Sequence, residues 1–303
     1  MRKSSLNNIL VLSTLIGFCL LCSCRKETPT HEEGSPSKEA SVQNQKTKIR
    51  QPLEEVIKLE TRHPVLLKVF PEGALSDDDR KALQQFMKWS DLFELLDYPE
   101  YIKKIAIQYN NEITDKDLRF LAYFPNVEEL YLKNSRNITD KGMLILKKLP
   151  RLRTLSVYGT KVTEASLPLI AELNHLENLY FGAMPENTHS TDPSESPWKD
   201  QEIHFTDFAL EHLKETQIKD IQFMSPTDIT DEGLAYISSM RNLESLSIMS
   251  NHITQEGVEK IIPSLPDKIM TIFICAMPVR DDDGISSKII KHKEATLILR
   301  GLK

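Results

Sequence analysis

Residues 127–152 read VEELYLKNSRNITDKGMLILKKLPRL. The first part alternates: Leu130 and Leu132 point one way and Tyr131 the other, which is the period of a strand. The second part is spaced by three. Met143, Leu146 and Leu149 lie at i, i+3 and i+6, on one face of a helix that closes onto the strand layer. Thr139 is a good N-cap, and Asp140 one residue on favours the positive end of the new helix. Pro150 stands where that helix must stop. A strand and a helix this short leave an apolar face open, and a similar neighbour must cover it.

Such neighbours run along the chain. Ile102, Ile105 and Ile107 are followed by Ile113-Thr114-Asp115; Leu152, Leu155 and Val157 by Val162-Thr163-Glu164. Leu176, Leu179 and Phe181 lead, after an insertion, to Phe205-Thr206-Asp207. Ile218, Ile221 and Phe223 are followed by Ile229-Thr230-Asp231, and Leu243, Leu246 and Ile248 by Ile253-Thr254-Gln255. A looser copy begins at Ile269. Successive starts at 102, 127, 152, 176, 218, 243 and 269 are spaced 25, 25, 24, 42, 25 and 26 residues.

LxxLxL returning at this period resembles the leucine-rich repeat family, most closely its helix-bearing ribonuclease-inhibitor and cysteine-containing types, over residues 102–299. The resemblance implies an α/β solenoid: a curved horseshoe with parallel strands on the concave face and helices on the convex face. The chain departs from the family at the asparagine-ladder position. Asn110 and Asn251 fit, whereas Ser135, Thr160, Met184, Pro226 and Met277 do not, so other groups must satisfy the backbone there. The N-terminal end needs a cap, expected over 53–101. Leu67-Lys68-Val69 reads there as a degenerate strand and Asp78–Leu96 as a helix with Leu83, Phe86, Trp89, Phe93 and Leu96 inward. Thr296–Leu302 reads as a closing strand with Leu297 and Leu299 inward.

The start of the chain reads differently. Arg2 and Lys3 precede the apolar run Ile9–Leu21, too short to span a bilayer comfortably, and it ends in Leu21-Cys22-Ser23-Cys24. This resembles a bacterial lipoprotein signal, 1–23, with lipid placed on Cys24 as the first mature residue. Cys19 and Cys22 would leave with the signal and Cys24 would be capped, so Cys275 has no partner for a disulfide. Residues 24–52 are polar and poor in large apolar side chains, the composition of a disordered tether, with a reach of roughly 30 Å.

The 303-residue chain is 40% hydrophobic and carries a formal charge of −6, which argues against nucleic acid as a partner. No nucleophile motif, phosphate loop or dinucleotide fingerprint is present, so an enzyme finds the least support and no cofactor is implied. His189, His204 and His212 match no zinc spacing. Asp281-Asp282-Asp283-Gly284 falls where a repeat's helix starts and lacks the alternation of a calcium loop. Cys275 follows an inward Ile274 and is expected to face outward.

Outward strand positions are therefore where function is sought. Tyr131 and Tyr180 share one column with Phe273. Lys133, Tyr158, Met224 and Met249 share the next, with Ser156, Gly182 and Ser247 expected to leave room for a ligand. Tyr109 and Trp198, the latter in the insertion near 184–203, complete the expected contact set for a protein or peptide partner of unknown identity. The expectation is a lipid-anchored envelope protein that binds through its concave face. The alternative is a passive structural envelope protein.

Overall fold

The computed structural model describes residues 76–90, 102–182, 204–276 and 287–302. The chain divides into two units, Met1–Leu75 and Ser76–Lys303, and every described residue belongs to the second. Cys24, the 24–52 segment expected as a tether, Leu67–Val69, Phe93, Leu96, the insertion with Trp198 and the Asp281–Gly284 run lie outside the described residues.

Helix α1, Asp77–Trp89, opens the unit. The Ser76 hydroxyl accepts from the Asp79 N–H at 3.1 Å, and three aspartates occupy the first turn, where the helix dipole favours negative charge. Leu83, Phe86 and Met87 are buried. The Phe86 ring meets Phe120 of the first repeat with centroids 5.8 Å apart.

Among the described residues nine strands form one sheet: β1 Lys104–Ala106, β2 Glu129–Tyr131, β3 Thr154–Ser156, β4 Asn178–Phe181, β5 Asp220–Thr230, β6 Ser245–His252, β7 Thr271–Cys275, β8 Ser287–His292 and β9 Ala295–Arg300. Their order is β1-β2-β3-β4-β5-β6-β7-β9-β8. Neighbours pair in parallel from β1 through β7 to β9, and β8 pairs antiparallel with β9. The 24- to 26-residue spacing sets the register. Ile105, Leu130, Leu155, Leu179, Ile221, Leu246, Ile272 and Leu297 are paired in turn, and none is more than 1% exposed. That continuous apolar column is what one repeat offers the next.

The connecting layer differs from expectation in its first turns. Asp117–Tyr123 and Gly142–Lys148 are 3₁₀ helices rather than α-helices. The cause was legible. Leu118, Leu121 and Phe124, like Met143, Leu146 and Leu149, recur every third residue, and only three residues per turn keeps such a set in line. Later connections mix both forms: Glu164–Ser166 (3₁₀) with α2 Leu167–Ala171, α3 Asp207–Leu213, α4 Asp231–Leu234 with Ala235–Ser239 (3₁₀), and α5 Gln255–Ile261 with Ile262–Ser264 (3₁₀). The closing strand has Leu297 and Leu299 buried, as expected. The chain enters it through an antiparallel hairpin, turning at Lys293 with φ 51°, and not from a helix.

The Thr-Asp pairs do more than start helices. Each acid reaches across to the next repeat's threonine. Asp115 accepts from the Thr139 N–H at 2.8 Å and the Thr139 hydroxyl at 2.6 Å. Asp140 does the same to Thr163, both at 2.8 Å, and also accepts from the Ser166 hydroxyl. Glu164 binds Thr206, Asp207 binds Thr230 at 2.7 and 2.8 Å, and Asp231 binds Thr254 at 2.8 and 2.7 Å. The hydroxyls of Thr163, Thr206, Thr230 and Thr254 meanwhile cap their own helices, as Thr230 accepts from the Glu232 N–H, whereas Thr139, expected as a cap, is not one: Gly142–Lys148 starts from Lys141 with no side-chain cap. A Cβ at Gly142, Gly233 or Gly257 would fall 2.0–2.5 Å from the incoming aspartate oxygen, so the glycine of ITDKG, ITDEG and ITQEG makes room for the neighbour's carboxylate.

In three repeats a hydroxyl takes the place of the ladder asparagine. Asn110 accepts from the N–H groups of Glu112 and Ile113 at 2.8 and 3.1 Å. Thr160, Thr227 and Ser250 each accept from the N–H two residues on and donate to a carbonyl. Asn251, expected in that role, is exposed, and the buried Ser250 fills it.

Candidate functional site

Strand parity places one row of side chains on the sheet face opposite the core: Ala106, Tyr131, Ser156, Tyr180, Gln222, Ser247, Phe273 and Ile298, in consecutive register. Small residues separate large ones at Ser156, between Tyr131 and Tyr180, and at Ser247, between Gln222 and Phe273. Ser156 is 0% and Ser247 5% exposed, so the space expected above them is filled by their large neighbours. Tyr131, Tyr180 and Phe273 are half-buried. At the C-terminal end of the row Ile298 pairs with Ile289, which is 64% exposed on the outermost strand.

The second expected column is not brought together. Tyr158 lies in the turn after β3, where it is only 7% exposed. Cys275 keeps outward parity but is fully buried, between Met249 and Arg300 in register. Met224 and Met249 are not side by side. Five residues of β5, Gln222 to Pro226, span three of β6, Ser247 to Met249, so Pro226 stands opposite Met249. The bulge is built against Gly182 (φ 142°), where a Cβ would lie 2.9 Å from the Met224 carbonyl carbon. Tyr109 is 73% exposed in the turn after β1, held by its N–H to the Lys133 carbonyl at 2.9 Å.

A polar row that the sequence reading passed over runs beside the aromatic one: Lys104, Glu129, Thr154, Asn178, Asp220, Ser245, Thr271 and Thr296. The alternation that exposes Tyr131 also exposes Glu129, two residues earlier on the same strand, so this row was available from parity alone. It ties the tyrosines down. The Tyr131 hydroxyl donates to Glu129 at 3.1 Å, and the Tyr180 hydroxyl to Asp220 at 3.1 Å. Lys104 binds Glu129 at 3.3 Å and lies 4.8 Å from the Tyr131 ring centroid; Lys133 lies 5.5 Å from the same centroid. Gln222 donates to Asp220 at 3.0 Å.

These contacts set the protonation of the face. Burial, then the Glu129 charge and hydrogen bond, push the Tyr131 phenol up to about 12. Burial and then Asp220 push Tyr180 upward in the same sense. Burial raises Asp220 to about 6, against hydrogen bonds from Tyr180, Gln222 and Ser245. Because the folded value lies above the ordinary 3.8, Asp220 holds its proton longer in the folded state. Its contribution to stability is complete below about pH 4 and is lost as pH rises to about 6, by on the order of 2–3 kcal/mol. Asp220→Asn is therefore expected to raise stability at pH 7 by about 1–2 kcal/mol and to flatten the slope between pH 4 and 6 in chemical denaturation; an unchanged slope contradicts this.

Along the start of the strands, charges neutralise one another: Lys103 binds Glu128 at 2.8 Å, and Glu177 binds Arg153 at 2.6 Å and Lys219 at 3.2 Å. Burial opposes ionisation of Glu177, but hydrogen bonds from Arg153 and Lys219 outweigh it and hold the carboxyl below its usual value. At the other edge His204 and His252 contact the two oxygens of Asp228 at 3.0 and 3.6 Å, all three being exposed. His212 bonds the Phe208 carbonyl of its own helix, and His189 lies outside the described residues. Among the described residues no group of three or more His, Cys, Asp or Glu is placed to hold a metal ion.

A family model described as Leucine Rich repeat matches residues 239–261, the segment through β6 into α5. No curated protein matches the chain. Among solved structures it is similar to internalin C2 of Listeria monocytogenes, 19% identical over 71% of this chain and 90% of that one, with a TM-score of 0.40. It is also similar to internalin F of the same organism, 14% identical over 69% of this chain and 58% of that one, with a TM-score of 0.38. The repeat itself gives the fold: seven LxxLxL strands lie in one parallel register, those from β1 to β6 each followed by a short helical return, and together they form an α/β leucine-rich-repeat solenoid.

Proposed function

We propose that the open face of the sheet binds a protein or peptide partner and that the chain is held at a cell-envelope membrane by lipid on Cys24. The observation that carries the first part is the register-locked row of Tyr131, Tyr180 and Phe273, half-buried on the face away from the apolar core. Rigid aromatic side chains on a preorganised sheet lose little conformational freedom on binding, and they supply most of the energy at recognition surfaces. The second part is supported by the charged start, short apolar run and Ser23-Cys24 junction. In this reading residues 24–52 are a tether and 53–101 a cap, and the protein works by recognition and not by catalysis.

The test is capture by crosslinking from the native envelope with the full chain. Tyr131→Ala with Tyr180→Ala is expected to weaken capture of a discrete partner by tenfold or more, about 1.4 kcal/mol or more of binding energy, while thermal unfolding stays cooperative. Undiminished capture by the double variant would remove the open face as the site. Cys24→Ser is expected to abolish incorporation of labelled fatty acid, and labelling that persists would contradict the anchor.

A further inference from the structure

The open face holds two phenol–carboxylate pairs, one within β2 and one between β4 and β5, and only the first carries a cation. On β2, the Tyr131 phenol donates to Glu129 at 3.1 Å; Lys104 pairs with that carboxylate at 3.3 Å and sits 4.8 Å from the ring centroid. Two strands on, the Tyr180 phenol donates to Asp220 at the same 3.1 Å. Among the described residues, however, no Lys, Arg or His pairs with Asp220 or lies over the Tyr180 ring. The charged groups acting on this second pair are acids, namely Asp220 and Glu129 on Tyr180, and Glu244 on Asp220. A phenol donating to a carboxylate is electron-rich, which strengthens its ring face for a cation.

An independent observation falls in the same place. Ser156, between Tyr131 and Tyr180 in register, is 0% exposed, and its hydroxyl has no hydrogen-bond partner. Buried hydroxyls are ordinarily paired, and leaving one unpaired costs about 1–3 kcal/mol. By strand parity it points to the open face, beneath two rings that are themselves only half-buried.

We infer that a basic side chain of the partner, an arginine guanidinium or lysine ammonium, completes the second pair by seating on the Tyr180 ring and pairing with Asp220, and that the Tyr131 and Tyr180 rings turn aside to let it donate to the Ser156 hydroxyl beneath them. This rests on the open face being the binding face and names the chemistry it recognises there: a partner segment presenting a cation to the middle of the sheet. A guanidinium has enough donors to serve the carboxylate and the hydroxyl together.

The probe is N-acetyl-arginine methylamide, titrated into the full isotope-labelled chain, with the lysine and citrulline counterparts as arms. Saturable shifts are expected at Ser156, Tyr180 and Gln222 with the cationic probes, and roughly fivefold or more weaker binding with the neutral isostere citrulline. Asp220→Asn is expected to remove that preference. The citrulline arm uses the unmodified protein, so the outcome does not depend on the variant folding. Equal shifts with citrulline, or shifts confined to acids elsewhere, would overturn the inference. That result leaves partner capture through Tyr131 and Tyr180 standing, whereas capture indifferent to those tyrosines removes the face and this inference with it.

Discussion

Replacing Phe205 by alanine is expected to lower the free energy of unfolding by about 3–5 kcal/mol. Phe205 opens the return segment after the long insertion and is fully buried. Its ring meets Phe181 of β4 at 5.0 Å and Phe223 of β5 at 5.3 Å, and those two rings lie 6.2 Å apart. The three rings join the repeats on either side of the 42-residue spacing, the one place where the sequence period is broken. Truncation leaves a cavity flanked by two rings fixed on paired strands, which cannot collapse into it. Urea denaturation followed by circular dichroism reads the loss; a cost below about 1 kcal/mol would mean that this cluster does not hold the two halves together.

The second large effect lies in the acid–threonine ladder. Asp207→Ala removes two hydrogen bonds to Thr230, one from a backbone N–H, and is expected to cost about 2–4 kcal/mol. Gly233→Ala attacks the same contact from the other side, since its Cβ would meet the Asp207 oxygen at 2.1 Å. Alone it is expected to cost about 1–3 kcal/mol although alanine is the better helix former by about 1 kcal/mol. Once Asp207 is alanine the obstruction is gone, and Gly233→Ala should cost less than about 1 kcal/mol. The double-mutant cycle should therefore show a coupling of about 1 kcal/mol or more between residues 26 positions apart in sequence. Strict additivity would show that glycine is there for another reason.

Much of the fold was legible because a repeat is a constraint seen many times. Strand parity, the inward columns and the helix starts at Thr163, Thr206, Thr230 and Thr254 follow from local rules applied at one period. The 3₁₀ character of the first returns was legible too, in the spacing of three of Leu118, Leu121 and Phe124, but an apolar stripe is habitually read as α-helix. What was not legible depends on contacts between repeats. Nothing local says that Asp140 serves Thr163 or that a two-residue bulge in β5 carries Met224 out of line with Met249, although parity from Leu246 and Ile248 already put Ser250, and not Asn251, inward. The site was half readable for the same reason: Tyr131 and Tyr180 hold their row, Tyr158 turns inward at the end of its short strand, and Glu129 and Asp220 were passed over.

The most direct test of the open face as the docking surface is a pair of photo-crosslinkers in the full chain. One replaces Gln222, in the row between Tyr180 and Ser247; the other replaces Leu144, 65% exposed in the Gly142–Lys148 return of the helical layer. In the native envelope, position 222 should yield one saturable adduct and position 144 none of the same mass. The same adduct from position 144, with none from 222, would contradict the account.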